Sequence, residues 1–398
     1  MGRMRKDQSK SVVIGTSLRD TPVPHHFAAL GRELVNLGFQ VTLLVHGPIE
    51  DESYVDPRIS VLRWPSPRPT RLADMLFFDR LVRRLKPCCV VSNFGALAIM
   101  MTIGGLRRVP VRIHWHHTLS SQIEADTTDS RLMLRLLRLR ARIPFSFVTH
   151  AIANSKAAKQ DLIAAFGVPE RKCHVFWNSL EDPLADSALA LAVKTQRPSP
   201  RRFVCVGRFA LSKGQDILLK AMAEVIRQCP DITLEFVGDG ASRASCQELA
   251  GQLGVARNCV FTGLLPHPKV LSRMADAWAT VVPSRNEAFG LVNIESMAVG
   301  VPVIGSNTGG IAEIVREDVD GLLFPPGDHQ ALAKHMIELM ENADLRARMA
   351  ANARRRFLDH FESSQAVQTQ ARWIIEQVRN AAGGPLFPRA AASVPGQI

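Results

Sequence analysis

Two glutamates, Glu287 and Glu295, lie eight residues apart in the stretch whose residue types are best suited to binding chemistry. They follow the apolar run 279–283 and flank the small residues around Gly290. This order predicts a strand, a turn and then a helix. A helix that begins there directs its free N–H groups and the positive end of its dipole towards an anion. We therefore expect a phosphate site between two carboxylates that can bind hydroxyl groups, a combination suited to a nucleotide sugar.

A second loop containing glycine adds positive charge. Gly207, Arg208 and Lys213 follow the first predicted strand of the second half of the chain. Arginine can bind a phosphate through two hydrogen bonds, and lysine supplies a point charge. The alternative is a solvated basic loop. Gly238 ends the next predicted strand in a Gly-Asp-Gly turn, a position that suits a base or ribose pocket.

Glu295 and Glu313 could each have a purely structural role in place of a role in ligand binding. Glu295 lies inside the predicted helix and needs a partner if it is buried, which ribose hydroxyls could provide. The alternative is a solvated helix face. The turn Thr308–Glu313 also precedes a helix start, where Glu313 could simply lie near the helix dipole.

Three histidines end a predicted strand of the first half. On a strand His114 and His116 share one face, and His117 lies opposite. No acidic residue is close in sequence, so a metal site is disfavoured and we expect no metal. A structural histidine at a strand end is the alternative to a role in ligand binding.

Both halves of the chain alternate short apolar runs with amphipathic helix patterns. This alternation indicates an α/β protein with two doubly wound parallel sheets, whose ligands bind beyond the carboxyl ends of the strands. The predicted divisions are an N-terminal domain (1–190), a linker (191–202), a C-terminal domain (203–362), a helix packing back towards the first domain (363–383) and a disordered tail (384–398). The predicted strands are Val12–Gly15, Val41–Val45, Cys88–Ser92, Val111–Trp115, Ala151–Asn154, His174–Phe176, Phe203–Val206, Thr233–Val237, Cys259–Thr262, Thr280–Val282, Pro302–Gly305 and Gly321–Phe324.

The net charge of +12 is unevenly distributed, with +11 in residues 1–197 and +1 in residues 198–398. The first half is therefore expected to face something acidic. Nucleic acid is disfavoured because the sequence has no recognisable binding module and only one Tyr. Seven scattered cysteines without a C-x-x-C pair indicate reduced core thiols. No apolar run is long enough to span a bilayer, and we expect a cytoplasmic protein.

One basic segment of the first half has helical spacing. Arg131, Arg135, Arg138 and Arg142 share one face of a predicted helix, with Leu132, Leu136 and Leu139 beside them. Such a helix could lie on an anionic membrane surface, which would make the protein peripheral at the inner face of the plasma membrane. The alternative is a surface helix that buries its leucine face in the domain core.

Six short motifs of the second half occur together between Phe203 and Arg348. They are Gly-Arg-x4-Lys-Gly, Val-Gly-Asp-Gly, Pro-Ser-x2-Glu-x-Phe-Gly-Leu-x3-Glu, Gly-x-Pro-Val-Ile, Gly-Gly-Ile-x-Glu and Gly-Leu-Leu-Phe-Pro-Pro-Gly-Asp. In this order they resemble the nucleotide-sugar domain of family 4 (group 1) retaining glycosyltransferases. The resemblance implies a GT-B architecture, in which two Rossmann-like domains face each other across a cleft that holds the active site.

The resemblance also implies roles for individual residues. Arg208 and Lys213 would bind the donor diphosphate, Glu287 would contact the donor sugar and Glu295 the ribose. His117 would reach the donor sugar or the acceptor. The other donor-side residues would be Gly207, Gly238, Phe289, Gly290 and Leu291, and an N-domain loop near the donor would contain Gly15 and Thr16.

The expected function is transfer of a sugar from a nucleoside-diphosphate-sugar donor, with retained anomeric configuration and without a cofactor. The acceptor would be a glycan or a lipid-linked molecule in cell-envelope polysaccharide or glycolipid synthesis. A sugar phosphorylase, a nucleotide-sugar epimerase and a non-catalytic protein that binds nucleotide sugars or glycans are the alternatives.

Overall fold

A computed structural model describes residues 10–19, 21–127, 131–185, 189–190, 199 and 201–382. Within these residues the chain forms two parallel sheets, each with helices packed against it. The predicted α/β class and GT-B arrangement are confirmed. Most of the predicted linker, 191–202, and all of the predicted disordered tail, 384–398, lie outside the described residues.

The N-terminal domain contains a sheet of seven described strands in the order β3-β2-β1-β4-β5-β6-β7. The strands are β1 (Ser11–Leu18), β2 (Gln40–Ile49), β3 (Ser60–Arg63), β4 (Cys89–Asn93), β5 (Val111–His116), β6 (His150–Ala153) and β7 (Cys173–Val175). Its helices are α1 (Pro22–Asn36), α2 (Leu72–Leu85), α3 (Leu97–Leu106), α4 (Ser120–Asp126), α5 (Arg131–Ser146) and α6 (Lys156–Ala164). The inner strand β1 is buried along nearly its whole length because helices cover both faces of a parallel sheet.

The C-terminal domain contains six described strands in the order β10-β9-β8-β11-β12-β13. The strands are β8 (Arg202–Val206), β9 (Thr233–Val237), β10 (Cys259–Gly263), β11 (Ala279–Val282), β12 (Val303–Ser306) and β13 (Gly321–Phe324). Its helices are α7 (Gln215–Val225), α8 (Arg243–Gln252), α9 (His267–Ala275), α10 (Leu291–Ala298), α11 (Ile311–Ile314), α12 (His329–Glu341) and α13 (Ala343–His360). One more helix, α14 (Ser363–Ala381), follows this domain.

The last helix, α14, packs on the first domain although it follows the second in sequence. Val367, Ala371 and Ile374 are buried in the same apolar cluster as residues of β1 and α1, including Phe27. The chain therefore passes between the domains twice, once after β7 and once after α13. A backbone bridge between Leu180 and Glu362 joins the two crossings.

Helix α5 does not bury its leucine face. The alternative, in which this face packs in the domain core, is therefore wrong. Leu132, Leu136 and Leu139 are 68%, 54% and 59% exposed. The helix is held to its domain by the opposite side, where Leu134 and Phe145 are buried. None of the helices among the described residues combines the length and apolar character that crossing a membrane requires.

Candidate functional site

A cavity of about 330 Å³ lies between the two domains, where the carboxyl ends of both sheets meet. Val23, His117, Asn154 and Asn178 line it from the N-terminal half. The C-terminal domain contributes Cys205, Val206, Gly207, Arg208, Lys213, Gln215, Val282, Pro283, Ser284, Glu287, Phe289, Gly290, Leu291 and Val292. Seven of the residues predicted for the donor side, together with His117, are thus brought to one place.

An ion pair between Lys213 and Glu287 lies at this cavity. The Lys213 Nζ atom is 2.6 Å from Glu287 Oε2, and the Ser284 hydroxyl donates to the same oxygen at 3.1 Å. The Glu287 side chain is only 9% exposed, so its charge needs these partners. Because the loop after β11 carries Glu287 and the loop after β8 carries Lys213, the pair joins two neighbouring strand ends.

Glycines shape the loop that carries Glu287. Gly290 precedes α10 with φ of 89°, a left-handed conformation that favours glycine. Gly309, with φ of 47°, packs against the loop so closely that a Cβ atom would lie 2.0 Å from the Glu287 carbonyl oxygen. The next residue, Gly310, donates its N–H to that oxygen at 3.0 Å. The Gly-Gly-Ile-x-Glu motif therefore fixes the backbone of Glu287.

The N-terminus of α10 opens onto the cavity, as the sequence predicts. Gly290 and Leu291 line the cavity at this helix end, whose first N–H groups have no partner within the helix. The buried Asn293 side chain donates to the Gly290 carbonyl at 2.9 Å and so holds the turn. The dipole of α10 and the Lys213 and Arg208 side chains all contribute positive potential to the cavity.

Glu295 and Gly238 lie outside the residues that line this cavity. The Glu295 carboxylate is 2.9 Å from His267 Nε2, on α9. Gly238 accommodates the backbone of Gly207, whose carbonyl oxygen would be 2.1 Å from an added Cβ atom. Glu287 and Glu295 thus have separate surroundings in the structure, and their donor-binding roles remain predictions.

The prediction of an N-domain loop at Gly15 and Thr16 is wrong, because both residues lie within a strand. Strand β1 continues to Leu18, so both residues pair with β2 within the sheet. Gly15 faces α3, where a Cβ atom would lie 2.6 Å from the sulfur of Met100. The apolar run is only four residues long, but pairing with β2 extends the strand through the polar residues that follow it.

The three neighbouring histidines have different surroundings. His114 bonds Ser92 at 3.0 Å, and His116 lies 3.5 Å from Asp161. His117 lies just beyond β5 and lines the cavity. Burial, reinforced by His116, lowers the pKa of His117 to about 3. Its imidazole is therefore neutral near pH 7 and can exchange hydrogen bonds with a hydroxyl group without carrying charge.

Several polar residues of the cavity were not predicted as site residues. Asn154 and Asn178 follow β6 and β7, and Gln215 begins α7. The Asn154 Oδ1 and Gln215 Oε1 atoms are buried and find no hydrogen-bond partner among the described residues. The position of Asn154 directly after β6, and of Asn178 three residues after β7, was a usable signal, because strand carboxyl ends face the cleft.

Two N-domain side chains on α4 reach into the C-terminal half of the site. Asp126 accepts hydrogen bonds from Arg208 Nη2 at 2.7 Å and from the N–H and hydroxyl of Ser212, both at 2.9 Å. Gln122, four residues earlier, donates to the Asn286 carbonyl at 2.9 Å. Residues four apart share one helix face, so α4 presents both groups to the other domain.

Glu313 makes the reverse contact, from the C-terminal domain to the N-terminal domain. Its carboxylate accepts the backbone N–H groups of Lys156 and Ala157 at 2.9 and 3.0 Å. These groups are the free donors at the N-terminus of α6, where a carboxylate is favoured. Glu313 therefore caps a helix of the other domain, and it does not act only on its own helix.

Comparison with known proteins places both halves in one class. Residues 190–356 match the family described as Glycosyl transferases group 1, and residues 23–181 match Glycosyltransferase Family 4. A structure of Anabaena HepE in complex with UDP-glucose has a TM-score of 0.71, with 18% identity, and the similarity covers 92% of this chain and 99% of that one. Two Rossmann-like domains around a cleft define this class as the GT-B fold.

Curated relatives agree with these matches. An uncharacterized glycosyltransferase, MJ1607, from Methanocaldococcus jannaschii is 28% identical over 51% of this chain and 54% of its own length. A D-inositol 3-phosphate glycosyltransferase from Corynebacterium urealyticum is 36% identical over 37% of each chain. The matched parts thus span about half or less of these relatives. The chain belongs to the group 1 (family 4) glycosyltransferases of the GT-B fold.

Proposed function

We propose that the protein transfers a sugar from a nucleoside-diphosphate-sugar donor to an acceptor, with retained anomeric configuration. The observation that carries this proposal is the Lys213–Glu287 ion pair, 2.6 Å long, beside the N-terminus of α10 in the cleft. It combines groups for a phosphate with a carboxylate for sugar hydroxyls. The structures of Anabaena HepE with UDP and with UDP-glucose support a donor of this kind.

In this proposal the leaving diphosphate binds Arg208, Lys213 and the N–H groups of α10. The bond between the sugar C1 and the phosphate oxygen breaks, and the acceptor oxygen bonds to C1 from the same face. The acceptor proton passes to the departing phosphate oxygen. Positive groups fixed before the reaction stabilise the charge that develops on the diphosphate, which requires no metal ion. Glu287 and neutral His117 would orient sugar hydroxyls on either side of the cleft.

A screen of nucleotide sugars for release of the nucleoside diphosphate tests the donor class. We expect saturable release with one donor, and loss of more than about 100-fold in Lys213→Ala and Glu287→Ala, the scale that follows when charge stabilisation is removed. Lys220→Ala, at an exposed position on α7, is the matched control and should retain activity. Equal rates in all variants, or no release with any donor, would contradict the proposal.

Product analysis separates the proposal from its alternatives. A phosphorylase would consume the glycan with inorganic phosphate, and an epimerase would return an altered nucleotide sugar. A binding protein would retain nucleotide affinity without any turnover. Retention predicts that the anomeric configuration in the product matches that of the donor by NMR, and an inverted product would refute that part of the mechanism.

We further propose that the acceptor is a glycan or lipid-linked molecule of the cell envelope, reached at an anionic membrane surface through α5. Leu136, Leu139 and Ile143 are each more than half exposed on one face of this helix. Arg140 and Arg142 are exposed beside them. Exposed leucines with flanking arginines are the composition of helices that lie in a membrane interface.

Co-sedimentation with vesicles tests the surface. Binding to vesicles with anionic lipid should exceed binding to neutral vesicles and should fall at least fivefold when Leu132, Leu136 and Leu139 are replaced by serine. Leu358→Ser, at a half-exposed position on α13, is the control. Unchanged binding of the triple variant would rule out this role for α5.

A further inference from the structure

The phosphate-binding groups of the proposed site are already paired with carboxylates. Lys213 is paired with Glu287, and Arg208 with Asp126. The formal charges of these four side chains cancel. A diphosphate entering while both pairs remain would gain little net attraction from the two cations and would face two nearby like charges. At least one carboxylate must therefore move away when the donor binds.

The two carboxylates differ in how they are held. Glu287 belongs to the same domain as Lys213 and is fixed by Ser284 and by the backbone contacts of Gly310. Asp126 belongs to the other domain, on the seven-residue helix α4. Separation of the domains removes Asp126, together with the contacts that Gln122 makes to the Asn286 carbonyl and the Glu287 carboxylate, and it leaves the Lys213–Glu287 pair within one domain. Glu287 cannot leave in that way.

The hydrogen-bond donors around Asp126 are groups that could equally bind a phosphate oxygen. They are one guanidinium N–H of Arg208, the backbone N–H of Ser212 and the Ser212 hydroxyl. Ser212 is fully buried, whereas the Arg208 side chain is 65% exposed and can turn towards another anion. The Asp126 side chain is 14% exposed, so its charge depends on this docked position.

We propose that Asp126 is an internal competitor of the donor diphosphate, and that docking of α4 on Arg208 and Ser212 blocks the diphosphate site. Binding of a nucleoside diphosphate and the Asp126–Arg208 contact exclude each other, so the donor enters only when α4 leaves. Gln122 leaves the Asn286 carbonyl in the same movement, because it shares a face of α4 with Asp126. The proposal rests on the donor site proposed above.

Binding of UDP, GDP and ADP, measured by calorimetry on the full chain, tests the competition. If α4 is docked about 90% of the time, removing the competing charge tightens the apparent dissociation constant about tenfold. We therefore expect Asp126→Asn to bind the preferred nucleotide about tenfold more tightly than the wild type. Glu124→Gln removes the same charge from α4, where Glu124 pairs with Arg138 instead, and should leave the affinity unchanged.

Hydrogen exchange on the unmodified protein gives a second measurement that does not depend on a variant. Amides of α4 should exchange faster when the nucleotide is bound, because the helix is released. Unchanged or weaker nucleotide binding by Asp126→Asn, or greater protection of α4 with nucleotide, would overturn the competition while leaving the proposed function intact. Failure of all three nucleotides to bind every form of the protein would instead refute the donor site itself.

Discussion

Replacement of Gly309 by alanine should displace Glu287, because the two backbones are in contact. An added Cβ atom would lie 2.0 Å from the Glu287 carbonyl oxygen, and ordinary contact begins near 3.4 Å. The loops must therefore separate by about 1.4 Å, which also strains the hydrogen bond from Gly310 N–H to that oxygen. A displacement of about 1 Å at a reacting group can lower the rate about 100-fold.

The stability cost can be separated into two parts with a matched variant. Gly327 also has positive φ, 88°, but no atom lies within 4 Å of its added Cβ. Gly327→Ala should therefore show only the left-handed backbone cost of about 1–2 kcal/mol, partly offset in the unfolded chain. Gly309→Ala adds overpacking of about 1–3 kcal/mol and a weakened hydrogen bond of about 1 kcal/mol.

Thermal unfolding and initial rates of sugar transfer measure both effects. A difference of about 3 kcal/mol corresponds to about 6–12 °C for a domain of this size. We expect Gly309→Ala to melt lower than Gly327→Ala by about this amount and to lose about 100-fold in rate, while Gly327→Ala keeps its rate. Equal melting temperatures and equal rates for the two variants would refute the idea that this close packing positions Glu287.

Two further predictions concern the domain contact and a buried histidine. Glu313→Gln should weaken the cap on α6 by about 1 kcal/mol and so shift the equilibrium between closed and open domain arrangements about fivefold towards the open one. Solution scattering should then show a larger radius of gyration, and an unchanged radius would contradict this role of Glu313. Burial lowers the pKa of His26 to about 4 from its usual 6.5, so its stabilising contribution is complete above about pH 6.5 and declines as the pH falls towards 4. His26→Gln can keep the hydrogen bond to Ser179 but does not titrate. Its melting temperature should therefore fall less than that of the wild type between pH 7 and pH 5, by the equivalent of about 2 kcal/mol at pH 5. Melting temperatures that fall in parallel for the two proteins would contradict the lowered pKa of His26.

Most of the fold could be predicted because buried parallel strands are continuous apolar runs. All twelve predicted strands are present, with ends that differ by a few residues. Strand β3 was missed because it is an edge strand in which Ser60 and Arg63 are exposed and no side chain is fully buried. The extension of β1 through Thr16 was missed because pairing with β2, and not local composition, determines where that strand ends.

The candidate site could be predicted where its residues follow one strand, and not where two domains meet. Glu287 and Gly290 lie within one loop, so their sequence positions indicate their proximity. Asp126 and Arg208 are 82 positions apart, and no local pattern relates them. Glu313 shows the same limit, since its contact with α6 joins residues from different domains. Contacts of this kind depend on the relative placement of two folded bodies, which periodicity does not encode.

The packing of α14 on the first domain has a consequence for biosynthesis. During translation the strands of that domain leave the ribosome first, but the helix containing Ala371 and Ile374 is made only after the whole second domain. Until then part of the apolar surface around Phe27 lacks its cover. The C-terminal domain, which is continuous from β8 to α13, can complete its own core earlier. The half of the chain made first is therefore the half that finishes folding last.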